Sequence, residues 1–172
     1  MTGKIHLYCG DGKGKTTAAV GLAVRAAGAG KLVLFTQFFK DGSSSEIPIL
    51  AGIGNIQVIH RNTVRGFYSR MTEEERAVAA RDYTEHFREI CKMAQNADVL
   101  VLDEMVSACN HAVVPEDEVI RFLEGRPGNL EVILTGRNPS HRLLELADYV
   151  TRMEKIKHPF DRGLSARKGI EF

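Results

Sequence analysis

A glycine-rich stretch near the start of the chain constrains its fold more than any other feature. Residues 9–17 read Cys-Gly-Asp-Gly-Lys-Gly-Lys-Thr-Thr, and they lie between the apolar run 5–8 and the alanine-rich run 18–27. A strand, a glycine-rich turn and a helix that begins with Gly-Lys-Thr are typical of a phosphate-binding loop. The usual pattern opens with glycine where this chain has Cys9, but the strand–turn–helix context still favours such a loop.

The residue types in this loop suit the chemistry of phosphate. Glycines allow the backbone to wrap close to phosphate oxygens, and the N–H groups at the positive end of the following helix attract negative charge. Lys15 is expected to reach the phosphates, and the Thr16 hydroxyl is expected to bind Mg²⁺. The alternative is a glycine-rich turn that binds no ligand.

Composition narrows the class of protein. The 172 residues suit one domain with a substantial core, and the net charge of +1 gives no support to nucleic-acid binding. The three cysteines are odd in number and form no Cys-x-x-Cys pair, so reduced thiols and a cytoplasmic location are expected. The first predicted strand begins close to Met1, so no signal peptide is expected. No apolar run approaches the ~20 residues that span a bilayer, so no membrane partner is expected.

Short apolar runs along the chain predict a β-sheet. They occupy residues 5–8, 32–35, 56–59, 99–102, 132–134 and 149–150, and helical patterns separate most of them. This alternation predicts an α/β fold over residues 1–172, with three layers and a mostly parallel sheet covered by helices on both faces.

Several helices have recognisable starts. Thr72 and Glu75 predict a capping box, and the helix that follows is expected to bury Ala77, Ala80, Tyr83, Phe87, Ile90 and Ala94. Asn138 with Pro139 predicts the N-cap and first residue of another helix, which would bury Leu143, Leu144 and Ala147. Pro115 with the acidic residues 116–118 predicts a third. Residues 41–54 and 155–172 are interpreted as loops near the site.

A second apolar run ends in two carboxylates. Residues 99–104 read Val-Leu-Val-Leu-Asp-Glu, and in phosphate-loop proteins such a strand is expected beside the first one, where it delivers acid to Mg²⁺. A buried strand with a solvated acidic end is the alternative. The six histidines show no metal-ligand spacing, and no Ser/His/Asp or Cys/His order supports a covalent nucleophile.

Further segments, taken with the loop, resemble one family. They are Thr36-Gln37-Phe38-Phe39-Lys40, Arg65-Gly66-Phe67, Leu102-Asp103-Glu104, Arg126-Pro127-Gly128, Leu134-Thr135-Gly136-Arg137-Asn138, Ala147-Asp148-Tyr149-Val150-Thr151, Lys157-His158-Pro159-Phe160-Asp161-Arg162-Gly163 and Gly169-Ile170-Glu171-Phe172. Their order and spacing resemble the ATP:corrinoid adenosyltransferases of the cobalamin-salvage type, essentially from end to end. The Thr-Gly-Arg segment and the Lys-His-Pro-Phe tail are more specific than the loop, which many unrelated proteins share.

The resemblance implies a RecA-like phosphate-loop fold, a homodimer and a particular reaction. Members transfer the 5′-deoxyadenosyl group of ATP to the cobalt of a reduced, Co(I) corrinoid such as cobalamin or cobinamide, and they release triphosphate. They are thought to hold ATP reversed relative to ordinary phosphate-loop enzymes. The resemblance also implies Mg²⁺ and an electron-donor reductase, such as a flavoprotein, as a partner.

Carried over residue by residue, the resemblance also assigns roles in the site. Thr16 and Glu104, with Asp103 close by, are expected at Mg²⁺, while Arg137 contacts phosphate from the far side. Catalysis is expected to depend on Lys15, Arg137 and Phe67. The triphosphate is expected to be held by Gly10, Gly12, Lys13, Gly14, Lys15, Thr16, Thr17 and Arg137.

The corrinoid side of the resemblance departs from the family pattern. Phe67 matches the bulky side chain that is thought to push the lower axial ligand off cobalt, although from the residues alone it could be an ordinary core residue. Some members carry a second aromatic residue where this chain has Ser69, with Tyr68 and Phe39 as possible substitutes. Well-studied members also have an N-terminal extension that helps to cover the corrinoid; here that cover is expected to be absent or supplied otherwise.

Two other functions fit a phosphate loop. One is a RecA-like ATPase module that drives or regulates a partner protein, and the other is a small phosphotransferase. The nucleotide product distinguishes the three functions. Adenosyl transfer gives triphosphate and an alkylated cobalt, an ATPase gives ADP and phosphate, and a phosphotransferase gives ADP and a phosphorylated acceptor.

Overall fold

A six-stranded parallel sheet organises the chain. The computed structural model describes residues 2–40, 42–61, 68 and 71–171. The strand order is β3-β2-β4-β5-β1-β6, and every neighbouring pair is parallel. The strands are β1 (Ile5–Cys9), β2 (Val33–Gln37), β3 (Ile56–Ile59), β4 (Val99–Asp103), β5 (Glu131–Gly136) and β6 (Tyr149–Arg152).

Helices cover both faces of this sheet, which confirms the predicted α/β fold. They are α1 (Lys15–Gly28), α2 (Glu46–Ala51), α3 (Glu73–Met93), α4 (Met105–Asn110), α5 (Glu116–Gly125) and α6 (His141–Leu146). Short 3₁₀ helices follow at Ala94–Asn96 and Pro159–Arg162. Among the described residues we find no helix that is both long and apolar enough to cross a membrane.

The two faces of the sheet have separate hydrophobic cores. On one face, alanines of α1 such as Ala19 and Ala23 pack with Phe35, Val101 and Ile133. On the other face, the larger side chains of α3 and α5 pack with residues that include Leu34, Leu100, Leu102, Val132 and Leu134. Because successive strand residues point to opposite faces, a strand buried on both faces reads as an uninterrupted apolar run.

The predicted helix starts were partly right. Thr72 and Glu75 form the predicted capping box of α3, but Ala77 is exposed and Ala79 is buried in its place. Helix α5 begins after Pro115 as expected.

The predicted N-cap at Asn138 is wrong. Asn138 has a left-handed φ of 52°, and the N-cap of α6 is Ser140, whose hydroxyl accepts a hydrogen bond from the Leu143 amide. A serine at this position satisfies one of the amides that the first helical turn leaves unpaired.

The two segments interpreted as loops contain short helices. Residues 46–51 form α2 inside the first segment, where Pro48 and the neighbouring serines obscured a six-residue helix. The described part of the second segment, residues 155–171, contains the 3₁₀ helix Pro159–Arg162 and otherwise has no helix or strand. Neither helix is long enough to show a periodic apolar pattern in the sequence.

The expectation that the acidic strand lies beside the first strand is also wrong. Strand β4 pairs with β2 and β5, and β5 separates it from β1. The acidic end of β4 still reaches the loop because all these strands are parallel and their carboxyl ends share one edge of the sheet.

Candidate functional site

The glycine-rich loop joins β1 to α1 and depends on its glycines. Gly10 and Gly14 have φ values of +102° and +113°, in the region that L residues with a side chain rarely adopt. A Cβ on Gly10 would also lie 2.3 Å from the Met153 carbonyl oxygen. Two 2.8 Å hydrogen bonds, from the Gly12 amide to the Met153 carbonyl and from the Met153 amide to the Cys9 carbonyl, hold the loop against the segment that follows β6.

Lys15 lies within the curve of this loop. Its Nζ donates a 2.8 Å hydrogen bond to the Gly12 carbonyl, and the residue is only 7% exposed. Burial, and next the positive charge of Arg137, lower the pKa of Lys15. The carboxylates of Glu104, Asp11 and Asp103 offset this only in part. A buried ammonium of this kind favours an anionic ligand such as a phosphate group.

A buried carboxylate lies under the start of α1. Asp103 is wholly buried at the end of β4, and its Oδ1 accepts hydrogen bonds from the hydroxyls of Thr16 at 2.9 Å and Thr135 at 2.7 Å. Its Oδ2 accepts from Gln37 Nε2 at 3.1 Å and from Lys40 Nζ at 2.8 Å. Side chains from the carboxyl ends of β2 and β5, and from the helix that follows β1, therefore converge on one acid at the end of β4.

Glu104 takes a different place from its neighbour. It has a left-handed φ of 61°, its amide donates to Thr135 Oγ1 at 2.8 Å, and its Oε2 accepts from Ser107 Oγ at 2.5 Å. Such a backbone conformation costs a non-glycine residue on the order of 1 kcal/mol, and strain of this kind is common where a side chain serves a site. Glu104 is only partly buried and lines the cavity above the loop.

A cavity of about 220 Å³ brings most of the predicted residues together. It is lined by Asp11, Gly12, Lys13, Gly14, Lys15, Thr16, Thr17, Glu104, Arg137, His158, Ile170 and Glu171. Two predicted residues are not part of this lining: Gly10 shapes the loop, and Asp103 lies beneath, in contact with Thr16. Phe67 and Ser69 lie outside the described residues.

The C-terminal segment closes one side of this cavity. Glu171 accepts hydrogen bonds from the Arg167 amide at 2.8 Å and from its guanidinium at 3.1 Å, and these contacts lower the pKa of Glu171 to about 2. A second cavity of about 330 Å³ adjoins the first and shares Lys13, His158 and Glu171 with it. The rest of its lining is rich in cations: Lys155, Lys157 and Arg167, with Glu154 and Pro159.

The donor set under the loop fits a hard cation such as Mg²⁺. It offers the Thr16 hydroxyl and the carboxylates of Asp103 and Glu104, and oxygen donors are what this ion prefers. The buried Gln37 Oε1 also has no hydrogen-bond partner within the described part of the chain. No cluster of three or more His, Cys, Asp or Glu side chains suited to a metal was found in residues 2–40, 42–61, 68 and 71–171. A bound Mg²⁺ would therefore need ligands from the nucleotide, which is usual for this ion.

Sequence reasoning missed three polar side chains of this site. Gln37, Lys40 and Thr135 all contact Asp103, but in the sequence they appeared only inside longer segments of family resemblance. Each ends or closely follows an apolar strand, and polar residues at the carboxyl ends of parallel strands were the signal that could have identified them.

The aromatic residues considered as substitutes for a second corrinoid contact do lie together. Phe39 has a left-handed φ of 56°, and its ring centroid lies 5.4 Å from Tyr68, 5.3 Å from Tyr83 and 5.5 Å from His111. The Tyr68 hydroxyl donates to the His111 carbonyl at 3.2 Å. Within this aromatic cluster, Phe39 follows β2, the strand that also leads to Lys40.

Comparison with known proteins gives matches over nearly the whole chain. The sequence model described as ATP:corrinoid adenosyltransferase BtuR/CobO/CobP matches residues 1–172. The chain is 36% identical over 173 residues to the corrinoid adenosyltransferase of Escherichia coli (strain K12), which covers 99% of this chain and 86% of that protein. The identity and coverage are the same for the corrinoid adenosyltransferase CobA of Salmonella typhimurium (strain LT2).

A solved structure supports the fold alone. EssC (ATPases 2 and 3) from Geobacillus thermodenitrificans is similar with a TM-score of 0.51 and 13% sequence identity. The match covers 97% of this chain and 35% of the other.

Proposed function

This chain belongs to the ATP:corrinoid adenosyltransferase BtuR/CobO/CobP family, and we propose that its phosphate loop, Arg137 and the acidic end of β4 form the site of that reaction. The protein is a transferase that moves the adenosyl group of ATP to a corrinoid. The observation that carries the site assignment is the cavity in which the loop residues, Glu104 and Arg137 meet the C-terminal segment. That segment and the Thr-Gly-Arg segment are the parts of the sequence most particular to the family.

The triphosphate of ATP is assigned to the loop. Lys15 and Arg137 supply positive charge, and Lys13 adds a further cation at the mouth of the same cavity. The first residues of α1, Lys15, Thr16 and Thr17, line the same cavity, and the free amides at the start of a helix are suited to bind phosphate. We assign the nucleotide the reversed orientation that the family resemblance implies, with the ribose C5′ directed towards the corrinoid.

The residues suit a reaction that needs charge stabilisation and no base. The Co(I) electron pair forms the cobalt–carbon bond to C5′, the C5′–O bond breaks, and its electrons leave with triphosphate. No proton has to be removed from the nucleophile, so the protein's task is to align two large substrates and to stabilise charge on the leaving group. Lys15 and Arg137 are placed for the second task.

Mg²⁺ is proposed as the metal of this site. Thr16, Glu104 and Asp103 are its assigned protein ligands, on the grounds of their oxygen donors and their position at the loop. When bound, the ion neutralises part of the charge on the departing triphosphate. The protein contributes to the same end through Lys15, which holds the leaving group while the ribose carbon is attacked.

The corrinoid is assigned to the side of the site where Phe39 and Tyr68 lie. By resemblance, Phe67 displaces the lower axial ligand and so makes cobalt easier to reduce. The aromatic cluster of Phe39, Tyr68, Tyr83 and His111 is our candidate for the contact that a second aromatic residue provides in some members. Burying one aromatic ring against the corrin face contributes roughly 1.5–3 kcal/mol.

Three further features are proposed from the resemblance and from composition. We assign the protein a homodimeric state, a cytoplasmic location and a reducing partner such as a flavoprotein. Light scattering on the purified protein tests the dimer, because a mass near twice 19.0 kDa is expected.

The visible spectrum of cobalt tests the proposed function. The protein is mixed with ATP, Mg²⁺ and chemically reduced Co(I) cobalamin, and the bands of Co(I) should give way to those of a light-sensitive alkylcobalamin. A reaction without ATP is the control for oxidation of Co(I) by oxygen. Persistence of the Co(I) bands in the complete mixture would contradict the assignment.

A further inference from the structure

Lys40 lies beside two of the proposed Mg²⁺ ligands, Thr16 and Asp103. Its Nζ lies 2.8 Å from Asp103 Oδ2, 3.4 Å from Thr16 Oγ1 and 3.9 Å from Glu46 Oε1. The ammonium therefore contacts both the hydroxyl and the buried carboxylate assigned to Mg²⁺. We propose that Lys40 is an internal counter-ion, which neutralises Asp103 in the metal-free enzyme and is displaced when Mg²⁺ enters with the nucleotide. This inference rests on the proposed metal site.

The buried carboxylate needs such a counter-ion. Asp103 is 0% exposed, and its other three hydrogen bonds come from the neutral groups of Thr16, Thr135 and Gln37. A buried ionised carboxylate without a nearby cation is strongly disfavoured, even when hydrogen bonds satisfy its oxygens. Lys40 provides that charge at hydrogen-bond distance.

The surroundings of Lys40 also allow it to leave. Its side chain is 27% exposed and its stem is flexible, whereas Asp103 is fixed at the end of a buried strand. Glu46, at the start of α2, offers the ammonium a second carboxylate. Gln37 Nε2 bridges the two acids, with bonds of 3.1 Å to Asp103 and 3.0 Å to Glu46. A short movement from Asp103 towards Glu46 therefore keeps the ammonium paired.

Mg²⁺ and the Lys40 ammonium should exclude one another at Asp103. Two cations a few ångströms apart repel one another, and here both depend on the same buried carboxylate. Metal binding must therefore displace the lysine, and the lysine lowers the apparent affinity of the site for the ion.

Manganese binding tests this competition without any catalytic turnover. Mn²⁺ is titrated into protein with equimolar ATP and no corrinoid, and free Mn²⁺ is measured by electron paramagnetic resonance against ATP alone. Lys40→Met should bind Mn²⁺ at least about tenfold more tightly than the unaltered protein, because it removes one competing charge-assisted hydrogen bond. Lys31→Met, which removes an exposed lysine whose nearest carboxylate oxygen lies 3.8 Å away on Asp98, is the control for loss of one charge. Unchanged or weaker Mn²⁺ binding by Lys40→Met overturns the inference.

A second variant keeps the test valid if Lys40→Met does not fold. Glu46→Gln removes the alternative acceptor and should hold the ammonium on Asp103, so Mn²⁺ should bind severalfold more weakly. Binding that is unchanged or tighter in Glu46→Gln contradicts the inference.

Mn²⁺ binding by Thr16→Ala shows whether a negative result contradicts only the counter-ion role of Lys40 or the proposed metal site as well. If Thr16→Ala weakens Mn²⁺ binding while Lys40→Met leaves it unchanged, the metal site stands and the counter-ion role is wrong. If Thr16→Ala also has no effect, the proposed metal site fails, and the inference fails with it.

Discussion

At the residue scale, burial distinguishes Asp103, which ends β4, from Glu104, which follows that strand. Asp103 is wholly enclosed and hydrogen-bonded to Thr16, so it fixes the hydroxyl that opens α1. Glu104 is only partly buried and lines the cavity, where a ligand can reach it. Two adjacent acids in a sequence motif thus take different positions, one enclosed beneath the loop and one at the surface of the cavity.

Lys15→Ala should abolish most of the transfer activity while the fold stays intact. The ammonium is a buried point charge in the loop, and its loss should remove about 2–4 kcal/mol of transition-state stabilisation. Steady-state rates and circular dichroism spectra of the variant measure both effects. Lys31→Ala serves as the control on the protein surface. Near-normal activity of Lys15→Ala would remove this residue from the site.

Glu104→Gln should raise the Mg²⁺ concentration that is needed for half-maximal rate. The proposed reaction transfers no proton to the enzyme, so loss of a carboxylate should alter metal demand rather than the pH profile. Rates measured against Mg²⁺ at several pH values separate the two. A shifted pH profile with unchanged metal demand would instead identify Glu104 as a general base.

The sequence predicted individual site residues where a motif carried its own chemistry. Lys15 and Thr16 could be assigned because their spacing from the loop glycines fixes their place at the helix start. Lys40 and Thr135 could not, since their roles depend on which strands are neighbours in the sheet. The assumed neighbour of β1 was wrong, and β5 brings Thr135 into the space where the acidic strand was expected.

At the scale of elements, the loop depends on a partner that is distant in sequence. Gly10 and Gly12 face the backbone of residues 153 and 154, which follow β6. The strand β6 pairs with β1 and so places this segment against the loop. These two glycines of the loop are therefore needed for two reasons: they form part of the local motif, and they let the segment after β6 pack against the loop after β1.

Gly10→Ala should destabilise the protein, whereas Gly21→Ala should not. Alanine at position 10 would be strained by its positive φ and would collide with the Met153 carbonyl, for a loss of roughly 2 kcal/mol or more. A Cβ at Gly21, within α1, meets nothing within 4 Å, and alanine there should raise stability by up to about 1 kcal/mol. Urea unfolding of both variants gives the two values. Equal stabilities would show that the loop adopts another backbone conformation.

Helix α3 is expected to make stability depend on pH through His86. This residue is buried against the sheet, where its Nε2 lies 2.8 Å from Thr36 Oγ1, and burial and then the charge of Arg61 lower its pKa below 6.5. At pH values between the lowered pKa of the folded state and 6.5, His86 binds a proton in the unfolded chain but not in the folded chain. The free energy of unfolding should therefore fall as the pH drops from about 6.5 to the lowered pKa of the folded state.

Chemical denaturation between pH 5 and 7 measures this effect. His86→Gln should be less sensitive to pH than the unaltered protein, while the exposed His141→Gln controls for loss of a histidine. The same pH dependence in His86→Gln would show that other groups are responsible.

Regular elements were predictable where burial was two-sided or capping was explicit. Strands β2, β4 and β5 appeared as apolar runs because each of them is buried on both faces of the sheet, and α3 was visible from its capping box. The edge strand β6 was predicted only at residues 149–150, and all four of its residues are exposed. The short helix α2 was missed because six-residue helices carry no periodic signal. The true N-cap of α6 was missed because two polar residues two positions apart, Asn138 and Ser140, compete for one cap.

At the scale of the whole molecule, the site lies where the parallel strands end and where the tail returns to the loop. Arg137 follows β5, Glu104 follows β4, and residues 158–171 close the cavity from the side. The family segments that are far apart in sequence thus meet around one small volume. A phosphate loop that many proteins share is therefore surrounded here by segments that are particular to the adenosyltransferase family.

In the proposed reaction, the adenosyl group of ATP is transferred to cobalt and the three phosphates are released together as triphosphate. The most direct test counts nucleotide products in reactions with Mg²⁺, ATP and Co(I) cobalamin. One triphosphate should be released for each alkylated cobalt, and neither should form without the corrinoid. Accumulation of ADP, with free phosphate or with a phosphorylated acceptor, in place of triphosphate would contradict adenosyl transfer and identify an ATPase or a phosphotransferase.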